Sequence, residues 1–131
     1  MTEKRPEPPR PTDAELEILT VLWERGPSTV REVHEAIVLR KPAQYTTVLK
    51  LMQIMAEKGL VCRNEEQRAH LYEARAPQES TQRQLVGELL DRAFGGSAMQ
   101  LVMQALSTKR ATPDEIAKIR RMLDEYEEKS K

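Results

Sequence analysis

Three stretches of helical periodicity followed by two short extended runs constrain the first half of this chain more than any other feature. A capping box, in which a threonine is followed three residues later by a glutamate, opens the first stretch at Thr12 and the second at Thr29. Gly26, Pro42 and Gly59 mark the ends of the three stretches. The pattern predicts helices over about 13–25, 30–40 and 44–58.

Two short extended runs follow the third helix, at 60–63 and 68–72, and a polar tip at 64–67 joins them, which predicts a β-hairpin. Beyond a break at Pro77, helical spacing and a third capping box at Thr112 predict three further helices. Helix, short helix, helix and hairpin is the order of a winged helix-turn-helix. The predicted fold class is therefore mainly α, with a disordered tail at 1–11, an α+β winged helix-turn-helix at 12–76 and a three-helix dimerisation arm at 77–131.

The arm carries more apolar side chains than three short helices can bury against one another. Burial of one such side chain contributes ~1.5–3 kcal/mol, so a second copy of the chain is the simplest cover for them. The sequence therefore predicts a homodimer. The side chains expected at its interface are Leu85, Leu89, Phe94, Val102, Leu106, Ile119 and Leu123.

The third helix has two faces, of which the apolar one carries Val48, Leu51, Met52 and Met55. The other face carries short polar and basic side chains that suit a major groove about 12 Å wide. Glutamine can pair with adenine, threonine can contact a base or a thymine methyl, and lysine can reach guanine or phosphate. The same pattern also fits an ordinary polar surface helix. The candidate DNA-reading residues are Thr46, Thr47, Lys50 and Gln53.

Basic residues on the hairpin are the second candidate for DNA contact. If the hairpin is a wing, Arg63 and Arg68 would face phosphates or the minor groove. The alternative is a solvated hairpin on which they are ordinary surface charges. For His70 we expect only contact with solvent. The chain holds 21 basic and 21 acidic residues, and this balance neither supports nor excludes nucleic acid. A local excess, with seven Lys and Arg against four Glu over 38–75, favours DNA slightly.

The sequence gives little indication of catalysis or metal binding. It shows no nucleophile paired with a base, no glycine-rich phosphate loop and no paired metal carboxylates, so we expect neither an enzyme nor a cofactor. Cys62, His34 and His70 are too few for zinc, which takes four ligands, so we expect no metal site. We interpret Cys62 as a small apolar residue of a strand. The single cysteine and the lack of a long apolar run predict a cytoplasmic protein without membrane insertion.

The chain resembles the BlaI/MecI penicillinase repressor family. The resemblance lies in TDAELEILTVLWE at 12–24, YTTVLKLMQIMAEKGLV at 45–61, RAHLY at 68–72 and TPDEIAKIRRML at 112–123. It implies a winged helix followed by helices that intertwine with a second chain, and dimers that bind palindromic operators. It also implies repression of β-lactamase or resistance genes, relieved when a membrane sensor metalloprotease triggers cleavage inside the dimerisation arm.

Carried over by position, the resemblance puts the recognition-helix contacts on the same four residues of the third helix. Ile54 stands where the family often has a basic residue. The bond that matches the family's cleavage site is Gln104–Ala105, where the side chains differ from those of cleaved members. A copper-responsive branch carries paired C-terminal cysteines that this chain lacks, so copper sensing is not expected.

We therefore predict a dimeric transcriptional repressor whose partners are double-stranded operator DNA, a second copy and a membrane sensor protease or its signal. The alternative is a winged-helix module that binds protein and not DNA, for which Leu49 and Ile54 on the third helix would supply an apolar contact. A salt series distinguishes DNA binding from protein binding. Affinity for DNA falls steeply with ionic strength, whereas affinity through an apolar contact does not.

Overall fold

The order of helices and strands predicted from the sequence is present. The computed structural model describes residues 9–131, so most of the predicted tail at 1–11 lies outside the described residues. At the end of that predicted tail, Pro11 directly precedes the capped start of the first helix and is buried. The elements are α1 (Asp13–Arg25), α2 (Val30–Val38), α3 (Tyr45–Lys58), β1 (Val61–Asn64), β2 (Leu71–Ala74), α4 (Gln78–Ala93), α5 (Ala98–Thr108) and α6 (Pro113–Lys129).

All three predicted capping boxes are present. At Thr12, Thr29 and Thr112 the hydroxyl accepts a hydrogen bond from the backbone N–H of the glutamate three residues on, whose carboxylate accepts one from the threonine N–H. The bonds from the threonines hold the pKa of Glu32 and Glu115 below its usual value. The capping boxes thus fix the first turns of α1, α2 and α6.

The hairpin is confirmed, but its second strand begins at Leu71 and not at 68. β1 and β2 pair antiparallel, with Asn64 opposite Leu71. Asn64 ends β1 because its side-chain oxygen accepts a hydrogen bond of 2.9 Å from the Glu66 N–H, which starts a turn. The turn spans 65–70, so Arg68 and His70 lie in it and not in a strand.

A short bridge attaches the hairpin to the helices. The Ser28 N–H donates to the Tyr72 carbonyl at 2.9 Å, and the Tyr72 N–H donates to the Ser28 carbonyl at 2.8 Å. Trp23 of α1 adds a hydrogen bond of 2.9 Å from its indole Nε1 to the Ala76 carbonyl. Because Ser28 lies between α1 and α2, these bonds hold the hairpin in a defined place beside the helices.

One apolar cluster joins α1, α2, α3 and the two strands. It contains the stripe predicted for α3, except that Leu51 is only partly buried at its edge. The buried members are Ile18, Leu19, Val21, Leu22, Val30, Val33, Ile37, Val48, Met52, Met55, Leu60, Val61 and Tyr72.

A buried ion pair ties α1 to α3. Glu15 is 1% exposed, and Lys58 Nζ donates to its carboxylate at 2.9 and 3.1 Å. Burial raises the pKa of Glu15, but hydrogen bonds from Thr12 and Lys58 and the charge of Lys58 outweigh it and hold the pKa below its usual value. Glu15 therefore completes the cap of α1 and fixes the far end of α3.

The chain forms two compact units, one that ends at Val86 and one from Gly87 to Lys131. The predicted boundary at 76–77 falls in the short connection between β2 and α4, whereas this division falls inside α4. Thr81, in the early part of α4, is buried and belongs to the first unit. In the second unit, α5 and α6 hold no buried residue. No helix within residues 9–131 is both long and apolar enough to cross a membrane.

Candidate nucleic-acid interface

The face of α3 that points away from the core carries three of the four predicted recognition residues in one row. Successive residues of a helix are about 100° apart, so positions spaced by four and three lie close together. Thr46, Lys50 and Gln53 follow this spacing, and all three are exposed. Glu57 continues the row in the last turn and gives that end an acidic edge.

Thr47, the fourth predicted recognition residue, is exposed but lies on another flank of α3. It lines a separate groove of about 460 Å³ whose other walls come from α1 and the end of α2 and include Ile18, Ile37 and Lys41. The structure therefore does not bring Thr47 together with the hairpin residues.

The start of α3 is positioned by α2. His34 Nε2 donates a hydrogen bond of 2.8 Å to the carbonyl of Ala43, two residues before the helix begins. The His34 ring also packs edge-to-face against Tyr45, with centroids 5.7 Å apart. With the buried stripe and Lys58 at the other end, α3 is fixed along its length, which is what a helix that must present side chains to a rigid partner needs.

A second groove, of about 480 Å³, lies between α2, α3 and the hairpin, and we call it the basic groove. Three predicted DNA-binding residues meet on it: Gln53 from α3, Arg63 from β1 and Arg68 from the turn. Residues far apart in sequence thus form one surface beside the exposed row of α3. The lining residues are Thr29, Val30, Arg31, Tyr45, Leu49, Gln53, Arg63, Arg68, Ala69, His70 and Tyr72.

The two hairpin arginines are held differently. A hydrogen bond with the Tyr72 side chain and the charge of Glu65 hold the pKa of Arg63 above its usual value. Arg63 also makes an ion pair with Glu65. Arg68 is exposed in the turn. Tyr72 and Glu65 therefore hold the Arg63 side chain in place, whereas the exposed side chain of Arg68 is able to adjust to a ligand.

Several polar residues of the basic groove were not among the predicted DNA contacts. They include Thr29, which caps α2, Arg31 from α2, Tyr45 from α3, and His70, which we had expected only to meet solvent. The first turn of α2 faces the hairpin because of the bridge between Ser28 and Tyr72. That bridge joins backbone groups far apart in sequence, so no local pattern predicts it. A basic residue two positions after the capping threonine was the one available signal for Arg31.

Leu49, Ile54 and Cys62 were singled out for their chemistry. Leu49 packs against the core cluster, and Ile54 is half-buried, so neither is a free apolar side chain on the exposed row. Cys62 was interpreted as a small apolar residue of a strand. Cys62 does lie on β1, but strand residues alternate between faces, and it is exposed whereas Val61 is buried. Within residues 9–131, no group of three or more His, Cys, Asp or Glu side chains could hold a metal ion.

Comparison with known proteins shows relatives over almost the whole chain. The family model described as penicillinase repressor matches residues 11–125. The transcriptional regulator BlaI of two Mycobacterium tuberculosis strains is 34% identical over 119 residues, which is 88% of this chain and 83% of the relative. The penicillinase repressor of Bacillus licheniformis is 21% identical over 123 residues, 94% of this chain and 96% of the relative.

Two solved structures share the fold. A solution structure of the DNA-binding domain of the repressor BlaI has a TM-score of 0.50 and 22% identity, and it covers 55% of this chain and 88% of that chain. The monomeric form of B. licheniformis BlaI in complex with the blaP half-operator has the same TM-score and identity, with 56% and 89% covered. The predicted fold class, a mainly helical chain with a winged helix, is confirmed.

Proposed function

The chain belongs to the penicillinase repressor family, and we propose that it acts as a dimer that binds operator DNA through α3 and the basic groove. Family membership makes it a transcriptional repressor and not an enzyme. On this proposal, repression is steric: the bound dimer excludes polymerase from an overlapping promoter. Its place of action is the cytoplasm, where the operator is.

The observation that carries the proposal is the convergence of Gln53, Arg63 and Arg68 on one groove beside Thr46 and Lys50. The exposed row offers donors and acceptors to base edges, and the groove offers guanidinium groups to phosphates. Thr47 is the least well placed of the proposed contacts, because it lines the other groove. The relative from B. licheniformis was solved with a half-operator, which is in keeping with DNA as the ligand.

The protein-binding alternative loses its main support in this geometry. It rested on Leu49 and Ile54 as apolar contacts on α3. Leu49 packs against the protein's own core, and Ile54 is half-buried. The row that remains exposed carries Thr46, Lys50 and Gln53 and no apolar side chain, which suits DNA better than an apolar partner.

A homodimer is the second element of the proposal. Leu89, Val102, Leu106 and Leu123 are between 45% and 63% exposed in the single chain, and Leu85, Phe94 and Ile119 are only half-buried. Apolar surface of this extent marks a contact site, and a second copy with two-fold symmetry is the commonest cover. Such a dimer presents two copies of α3 to an inverted repeat.

Relief of repression is the third element. We propose that a membrane sensor protease, or the signal it sends, ends repression by loss of the dimer, and that the regulated genes are of the β-lactamase or resistance type. The bond Gln104–Ala105 lies inside α5. The Gln104 carbonyl accepts hydrogen bonds from the hydroxyls of Ser107 at 3.1 Å and Thr108 at 2.6 Å. Cleavage there therefore requires α5 to unwind first.

The experiment that tests the proposal is selection of DNA by the full chain. The purified protein is mixed with a library of random-sequence duplexes at moderate salt, and the retained duplexes are sequenced. The proposal expects enrichment of an inverted repeat and an affinity that falls steeply with salt. Absence of any enriched sequence, or an affinity that does not change with salt, would contradict it.

A further inference from the structure

The basic groove lies where the backbone of bound DNA would pass, an inference that rests on the proposed function. With α3 in a major groove, the sugar-phosphate backbone that borders that groove runs beside α3. The basic groove is the concave surface between α3 and the hairpin, and it has the positive side chains that phosphates require.

The positive side chains of the basic groove come from two sides. Arg63 and Arg68 belong to the hairpin, whereas Arg31 belongs to the first turn of α2. None of the described residues that line the groove is acidic. The nearest carboxylates that pair with these arginines are Glu65, with Arg63, and Glu35, with Arg31. A strand of phosphates in the groove would thus meet guanidinium groups on both walls.

Arg31 is available for such a contact. Its side chain is 83% exposed, and its Nε lies 3.7 Å from Glu35 one helical turn away, whose side chain is also exposed. An ion pair of this kind contributes little, because water and salt screen both charges. A phosphate can therefore replace Glu35 as the partner of the guanidinium at small cost.

We infer that Arg31 contacts a DNA phosphate across the basic groove from Arg63 and Arg68, so that one strand's backbone runs through the groove. The contact adds affinity and fixes the orientation of α3, and it carries no base preference because phosphates are the same in every sequence.

The test compares Arg31→Ala with Arg83→Ala in the full chain. Arg83 is a matched control, because its side chain is 80% exposed and pairs at 3.5 Å with a glutamate one turn away, Glu79. Affinity is measured over a salt series for two probes, a 30-base-pair duplex of mixed sequence and the duplex recovered by selection. Thermal midpoints of both variants verify that the fold is kept.

Arg31→Ala is expected to weaken binding to both duplexes by the same factor, roughly tenfold per chain near 0.1 M salt, and to reduce the salt slope by about one unit for each bound chain. Arg83→Ala is expected to match the wild type. If the wild type binds with a steep salt dependence and the two variants are indistinguishable, the inference is wrong and the proposed function stands. A loss confined to the selected duplex would show that Arg31 reads bases and would also overturn it. If the wild type binds neither duplex, the proposed function fails and the inference with it.

Discussion

Lys58 Nζ lies 2.9 Å from Oε2 of Glu15, so the last residue of α3 is joined to the first turn of α1. The carboxylate also completes the cap at Thr12. One buried side chain therefore caps the start of α1 and holds the end of α3 against it.

Glu15→Gln should keep the cap and remove the charge, since glutamine also serves in a capping box. At pH 7 we expect the free energy of unfolding to fall by about 1–3 kcal/mol, the usual worth of a hydrogen bond to a charged group. Because folding lowers the pKa of Glu15, its contribution is complete above the unfolded pKa and is lost as pH falls through the folded one. The gap between variant and wild type should thus shrink below about pH 4.

Chemical denaturation at one fixed chain concentration, at several pH values, measures this gap. Glu17→Gln is the control, because Glu17 pairs with Lys41 at the same distance, 2.9 Å, but with both side chains exposed. Glu17→Gln should lower the free energy of unfolding by less than about 1 kcal/mol. Equal losses for the two variants would show that burial of Glu15 has no energetic consequence.

Lys50→Ala and Gln53→Ala should weaken binding to the selected operator while the thermal midpoint stays nearly unchanged, because both residues lie off the buried stripe. A lost bidentate base contact costs ~1–3 kcal/mol, or about 5- to 150-fold in affinity. Fluorescence anisotropy with a labelled duplex measures the loss, and Gln82→Ala, at an exposed position of α4, is the control. If both variants bind the selected operator with wild-type affinity, α3 does not contact the DNA through these residues.

Arg68→Ala should lower affinity for all duplexes alike and reduce the salt slope by about one unit, because Arg68 lies exposed in the turn and we expect it to meet phosphate. Titrations of the selected and the mixed-sequence duplex over a salt series test this. A loss for the selected duplex alone would place Arg68 in a base-reading position instead.

Leu123→Glu should break the proposed dimer, since Leu123 is 63% exposed in the single chain and would face a second copy. Sedimentation equilibrium of the full chain is expected to show a dissociation constant of the dimer at least tenfold higher than that of the wild type. This factor corresponds to a loss of about 1.4 kcal/mol in the free energy of dimerisation. Arg121→Glu, a substitution of an exposed residue of α6 on the opposite side of the helix, should leave it unchanged. An unaltered dimer in Leu123→Glu would exclude this face of α6 from the interface.

Local sequence signals predicted most of the fold. The capping boxes at Thr12, Thr29 and Thr112 involve residues three apart, so they can be recognised in the sequence itself. The stripe through Val48, Met52 and Met55 follows from helical spacing alone. These signals placed every helix. They also predicted four residues of α3 for one face, and three of these, Thr46, Lys50 and Gln53, share one exposed row.

The basic groove was predicted less completely, because it depends on contacts between distant residues. The bridge between Ser28 and Tyr72 helps to bring Arg31 opposite the hairpin, and no local pattern predicts it. Arg68 was assigned to a strand because the predicted tip ended at 67, whereas the turn between β1 and β2 continues to 70. Thr47 was grouped with Lys50 as polar, although its position around the helix turns it to another groove.

The central claim is that a dimer of this chain reads an inverted repeat with two copies of α3. Its most direct test is the affinity of the full chain, at one fixed salt concentration, for the selected operator and for the same duplex with one half-site scrambled. The account predicts that the intact repeat binds at least about tenfold more tightly, because the second half-site is bound at a high effective concentration. Affinities within a factor of about two of each other, which the number of half-sites alone would produce, would contradict it.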